Sequence, residues 1–210
     1  MTASRSHGPA EALFASTNPG KLAEIREILR ELPIAIRPLS DFPGVIFPEE
    51  GASYEDNAIA KARVAAQFAG RVALADDSGL EVVGLGGAPG PHSARFGGPG
   101  LDDASRVEAL LAALEHVGGE QRRARFVCIA ALATPDGDIV TARGECTGRI
   151  LDAPRGRSGF GYDPIFLVDG IGRAMAELPE SEKNRISHRA CAFAALSAAI
   201  RVQLGLSREA

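Results

Sequence analysis

Cysteine is scarce in this 210-residue chain: Cys128, Cys146 and Cys191 are all it has. The three show no metal-ligand spacing, and an odd, sparse count fits a reducing compartment rather than a disulfide framework. Cys128 in "FVCIAAL" and Cys191 in "RACAFAAL" read as small buried hydrophobes. Positive charge is short as well. Lys and Arg number 23 against 27 Asp and Glu, for a net charge of -4. A nucleic-acid binder generally needs a basic surface, so that class is disfavoured. No apolar run approaches the ~20 residues of a membrane span. The opening "MTASRSHGPAEALF" lacks the apolar stretch of a signal peptide. The expectation is a cytoplasmic protein working on neither membrane nor nucleic acid, with residues 1–10 a disordered tail. Internal repeats and low-complexity linkers are missing too, which leaves 11–207 as a single domain.

What is present is ordinary globular composition, 45% hydrophobic and 24% charged, arranged as mixed α/β. "ALFAST" reads as a strand. Asn18 is a plausible N-cap with Pro19 in first helical position, and Leu22, Ile25, Ile28, Leu29 and Leu32 share one helical face. "IAIRPL" is a second strand. A helix runs from Tyr54 to Ala69, with Ser53 and Asp56 spaced as a capping box and Gly70 as its stop. "VALA" predicts a strand that ends at the adjacent carboxylates Asp76 and Asp77, with "LEVVGL" the next. A helix starts near Asp102 or Asp103. Residues 124–151 read as two antiparallel strands turned at "PDGD". "SGFGYDPIFLV" is a loop entering a strand, and a last helix covers about 187–204.

Five segments carry polar chemistry. "STNPGK" (Ser16, Thr17, Asn18, Pro19, Gly20, Lys21) joins a strand to a helix start, where free N–H groups and the helix dipole favour phosphate. It lacks the Walker A spacing. Asp76 and Asp77 point to opposite strand faces, so one is free to face a cleft. Glu49 and Glu50 form an acidic loop, and Mg²⁺ needs few protein carboxylates beside water and substrate phosphates. Phe160 and Tyr162, among glycines in "SGFGYDPIF", suit stacking on a purine. Lys183, His188 and Arg189 supply a phosphate cation and donors for carbonyl oxygens of a base. Ser187 is placed to cap the last helix.

These motifs, in this order, resemble the inosine triphosphate pyrophosphatase family, and within it the bacterial dITP/XTP pyrophosphatases. The segments are "STNPGKLAEI", "EEGASYEDNAIAKA", "ADDSGLEVVGLGGAPGPHSARF", "GFGYDPIF" and "AELPESEKNRISHR". They run from about Ala12 to Leu204. The resemblance implies a long curved mixed sheet with flanking helices, in two lobes that enclose an active-site cleft. It implies Mg²⁺-dependent hydrolysis of ITP, dITP and XTP to the monophosphate and pyrophosphate by a homodimer. Carried over position by position, Ser16 to Lys21 bind the triphosphate. Asp77 is the catalytic group that activates water and a metal ligand, and Glu49 is the second metal carboxylate. Ser78, Phe160, Gly161, Tyr162, Asp163, Lys183, His188 and Arg189 complete the substrate site. Asp76 is left as a support that orients the turn. Other readings are a pyrophosphatase for other modified nucleotides or a nucleotide sensor without chemistry. The "SHR" cluster and the carboxylates argue against both.

Overall fold

The computed structural model describes residues 9–206. Most of the expected tail, 1–8, and position 207 of the expected domain lie outside the described residues. Ala10, the last residue of the expected tail, already pairs in β1 (Ala10–Phe14), parallel to β2 (Ile34–Pro38).

Local signals set the helix ends. α1 (Pro19–Ile28) opens where the Asn18 side chain accepts the Lys21 N–H at 3.1 Å. α2 (Tyr54–Ala69) is capped by Ser53, which accepts the Asp56 N–H, and closes at Gly70 with φ 61°, a conformation that glycine reaches without strain. α3 (Asp103–Ala113) is capped by Asp102. α4 (Glu180–Ile186) is a short helix that sequence periodicity misses. α5 (His188–Gln203) starts at Ser187, whose Oγ accepts the Ala190 N–H.

One expected break is absent. β3 runs unbroken from Ala73 to Val82, through both aspartates. Its antiparallel partner β5 (Arg123–Ala133) explains this, since pairing continues from Ala73↔Ala133 to Val82↔Ala124 and includes Asp76↔Ala130 and Asp77↔Ile129. The strand end that matters belongs to β1. It stops at Phe14 beside Leu74, so the carboxylates project just past it. β4 (Pro89–Gly90) pairs with the far half of β3. β6 (Ile139–Ile150) and β7 (Phe166–Val168) complete a curled mixed sheet of order β2-β1-β3-β5-β6-β7.

Strand alternation sorts the core into layers. Phe14, Leu74, Cys128, Ala130 and Leu132 face α1 and α5. Their neighbours Leu13, Ala73, Ala75, Ile129 and Ala131 face the alanines of α2. A second lobe packs Leu80, Val82, Phe126, Ile150 and Phe166 against Val107 and Leu110 of α3. Burying a side chain such as Leu110 contributes about 1.5–3 kcal/mol. α5 lies so close to β6 that a Cβ at Gly144 would collide with the His188 carbonyl oxygen and the Ala192 nitrogen. Cys128 and Cys146 are buried, but Cys191 is exposed, against expectation. α5 turns Ala190, Ala192 and Phe193 inward instead, which leaves 191 on its outer side.

Candidate active site

The layering of β3 decides what each aspartate meets. Asp76 has the parity of Leu74 and points under α1 and α5, where it is 1% exposed. Lys21 Nζ lies 2.9 Å from its Oδ2, and Arg189 donates to the same oxygen from Nη2 at 2.9 Å and Nε at 3.2 Å. The Ser78 hydroxyl donates to it at 3.0 Å. Burial pushes this carboxyl up, but Arg189, Lys21 and Lys61 outweigh it and hold the group far below the usual range. The chain of charges continues. Arg189 also bonds Glu24, Glu24 pairs with Lys183 at 2.7 Å, and Lys183 pairs with Asp163 at 2.5 Å. Asp163 then accepts the Phe160 N–H at 3.0 Å. Three carboxylates and three cations alternate from the start of α1 to the aromatic loop. Asp76 is therefore the anchor of a buried network, not the turn support that the sequence implies.

Asp77 has the parity of Ala75 and points toward α2. Lys61 Nζ donates to its Oδ1 at 2.9 Å, and Asn57 Nδ2 donates to its Oδ2 at 2.9 Å. The same Lys61 reaches Glu50 at 2.9 Å. Two carboxylates thus share one lysine. Burial raises the Asp77 carboxyl above its ordinary value, and Lys61 and Asn57 offset this only in part. Glu50 sits lower than a free glutamate, because Lys61 outweighs its burial. Lys61 is raised despite burial, by Asp77 and Asp76, and so stays charged.

The opposite wall is aromatic. The His188 ring stacks on Phe126, with centroids 4.8 Å apart at 14°. Burial and the Arg189 charge lower the His188 pKa well below normal, so it is neutral near pH 7, and its Nδ1 has no partner. Phe160 lies over Lys183 Nζ, 4.7 Å from the ring centroid. Tyr162 donates to the Ser93 carbonyl at 2.9 Å, and Asp103 accepts the Gly161 N–H at 2.8 Å, fixing the loop to α3.

Between these walls lies a cleft partly open to solvent. Of the expected residues, Asn18, Lys21, Asp77, Ser78, Phe160, Gly161, Tyr162, Asp163, Lys183, His188 and Arg189 line it. Ser16, Thr17 and Pro19 face a neighbouring groove with Leu39 and Phe42. Gly20 lies behind the Phe160 ring. The acidic loop brings Glu50, not the expected Glu49, into the cleft; Glu49 is exposed and lies outside it. Their loop has no periodicity to settle which residue turns inward. Lys183 and Asp163 are bound to each other, so they brace the aromatic loop as well as line the site. Sequence reading missed Glu24, Asn57, Lys61, Ser93 and Asp103. Glu24 and Lys61 carried a faint signal, each a charged residue on the buried face of its helix.

The profile of the Ham1 family matches residues 12–199. A dITP/XTP pyrophosphatase from Geobacter sulfurreducens is 50% identical over 187 residues, which cover 88% of this chain and 93% of the relative. The dITP/XTP pyrophosphatase of Bacillus subtilis is 44% identical over 191 residues, covering 89% and 95%. A solved HAM1 protein from Coxiella burnetii superposes with a TM-score of 0.82 at 44% identity, covering 91% of this chain and 98% of that one.

Proposed function

Since the chain belongs to the Ham1 family, we propose that its cleft hydrolyses the non-standard purine nucleoside triphosphates ITP, dITP and XTP to the monophosphate and pyrophosphate. The chain is a hydrolase of nucleoside triphosphates. The observation that carries the reading is Asp77. It is a buried carboxyl with raised proton affinity on one wall of the cleft that Phe160 and a neutral His188 also line.

In the reaction, water attacks the α-phosphorus and pyrophosphate leaves. Asp77 orients that water and takes its proton, a role suited to a carboxyl made more basic by burial. Lys21, 17% exposed at its side chain, offers charge to the phosphates while anchored on Asp76. The donor set fits a hard cation, because Asp77 and Glu50 converge from strand and loop on Lys61. No cluster of three or more His, Cys, Asp or Glu occurs among the described residues. Mg²⁺ takes few protein carboxylates and keeps water and phosphate oxygens as its other ligands. Asp77 and Glu50 would hold it. When bound, Mg²⁺ neutralises charge on the phosphates.

Base selection rests on His188 and Phe160. The purine stacks on Phe160, which lines the cleft with Lys183 Nζ 4.7 Å from its ring centroid. A neutral His188 offers a donor to a 6-oxo group. Against the 6-amino group of adenine it meets a donor, and an unpaired buried group costs about 1–3 kcal/mol. Arg189 contributes less than its sequence position suggests. Asp76, Ser78 and Glu24 engage four of its N–H groups, leaving one on Nη1. We also infer a cytoplasmic homodimer, on the family resemblance and the sparse cysteines. Light scattering of the purified protein tests the dimer. A triphosphate panel with Mg²⁺, scored for pyrophosphate, tests the activity. Equal turnover of ATP and ITP would sink the base-selection account.

A further inference from the structure

Asn57, in the first turn of α2, is 5% exposed and makes three side-chain bonds. Its Oδ1 accepts the Gly51 N–H at 2.8 Å, and its Nδ2 donates to the Gly51 carbonyl at 3.1 Å and to Asp77 Oδ2 at 2.9 Å. Gly51 directly follows Glu50. No helix or strand spans the segment between Asp41 and Tyr54. One carboxamide therefore grips the backbone beside the loop carboxylate with one edge and holds the strand carboxylate with its remaining N–H. Lys61, one turn along the same helix face, joins the two carboxylates through charge. A flexible ammonium tolerates many separations. A planar amide bonded to both the N–H and the carbonyl of one residue tolerates one.

From this geometry we propose that Asn57 is a positioning residue: it sets the separation of Glu50 from Asp77 and the orientation of the Asp77 carboxylate toward the attacking water. This rests on reading Asp77 as the base. Asparagine is the side chain that fits, because all three bonds are needed at once. Aspartate keeps the acceptor for the Gly51 N–H but loses both donors. Alanine loses all three. The base wall is built by α5 and the 158–163 loop, so substrate affinity is set elsewhere.

The experiment compares Asn57→Ala, Asn57→Asp and Asp77→Asn. It measures kcat and KM for ITP separately, melting temperature, and amide hydrogen exchange by peptide. Asn57→Ala should lower kcat roughly 10- to 100-fold, the scale of a small misplacement of reacting groups, with KM near the parent value. Exchange should quicken in peptides covering 46–53 but not in those covering 160–166. Asn57→Asp preserves size, so it keeps the test alive if the alanine variant folds poorly. It should lower kcat similarly while 46–53 stays better protected. Parent-like kcat in both variants overturns the proposal. So does a loss of kcat with exchange quickened across the whole chain. Asp77→Asn separates the two readings. If it stays active, the base assignment fails; if it is inactive while the Asn57 variants are normal, only the positioning role fails.

Discussion

Asp76 and Asp77 differ by one position in sequence, yet they meet different halves of the protein. Under α1 and α5, Asp76 belongs to a closed chain of matched charges: Lys21, Arg189, Glu24, Lys183 and Asp163. Under α2, Asp77 and Glu50 share a single Lys61 beside the cleft. The first face is balanced. The second is short of positive charge and open, which suits a site that waits for a cation. The difference teaches that one strand can separate scaffold from chemistry by alternation alone, with no change of residue type.

Four measurements press on that contrast. The largest effect is expected from Asp76→Asn, which strands Lys21 and Arg189 against a neutral group. Removing one partner of a buried pair costs about 3–5 kcal/mol. Urea denaturation should show that loss, and a variant within about 1 kcal/mol of the parent would break the scaffold assignment. Asp77→Asn should reverse the pattern. We expect kcat to fall about 10²-fold or more while the melting temperature holds or rises, because burial already disfavours that charge.

The third measurement uses pH. His188 has a folded pKa well below its unfolded value near 6.5. Below about pH 6.5 the unfolded chain binds a proton that the folded chain refuses. Stability is therefore full above that pH and declines below it, by about 1.4 kcal/mol per unit until the folded pKa is reached. His188→Gln should remove this part of the slope between about pH 7.5 and 5.5. Asp76 acts in a separate window. Its folded pKa is depressed, so its contribution is complete above about pH 4 and lost on further acidification. An unchanged slope in the glutamine variant would show that His188 is not buried neutral. The smallest contrast lies in the acidic loop. Glu50→Gln should raise the Mg²⁺ needed for half-maximal activity, and Glu49→Gln should leave it unchanged. The opposite result would restore Glu49 as the metal carboxylate.

The sequence was most legible where structure is local. Asn18, Ser53 and Ser187 announce helix starts through side chain to backbone bonds within three residues, and Gly70 announces a stop. Misreadings arose where distant chain decides. Two charges after "VALA" look like a strand end, and only pairing with β5, some fifty residues away, carries the strand through. The opposed directions of the two aspartates did follow from alternation. The partners did not. Glu24 meets Arg189 across 165 positions, and Lys61 meets Asp77 across a helix-to-sheet contact that no spacing rule reports. Arg189 reads as a free donor in the sequence because its type and place beside His188 are visible there, while the carboxylates that occupy it are not.

The close approach of α5 to Gly144 has a consequence for protein engineering. His188 sits at its height above the sheet because β6 offers no side chain beneath the first turn of α5. A single methyl at 144 would act as a shim behind the helix, lifting the base-reading ring relative to Phe160 while altering no residue that lines the pocket. A library built only from cleft residues would overlook that dial, and one that includes the back of α5 would reach it.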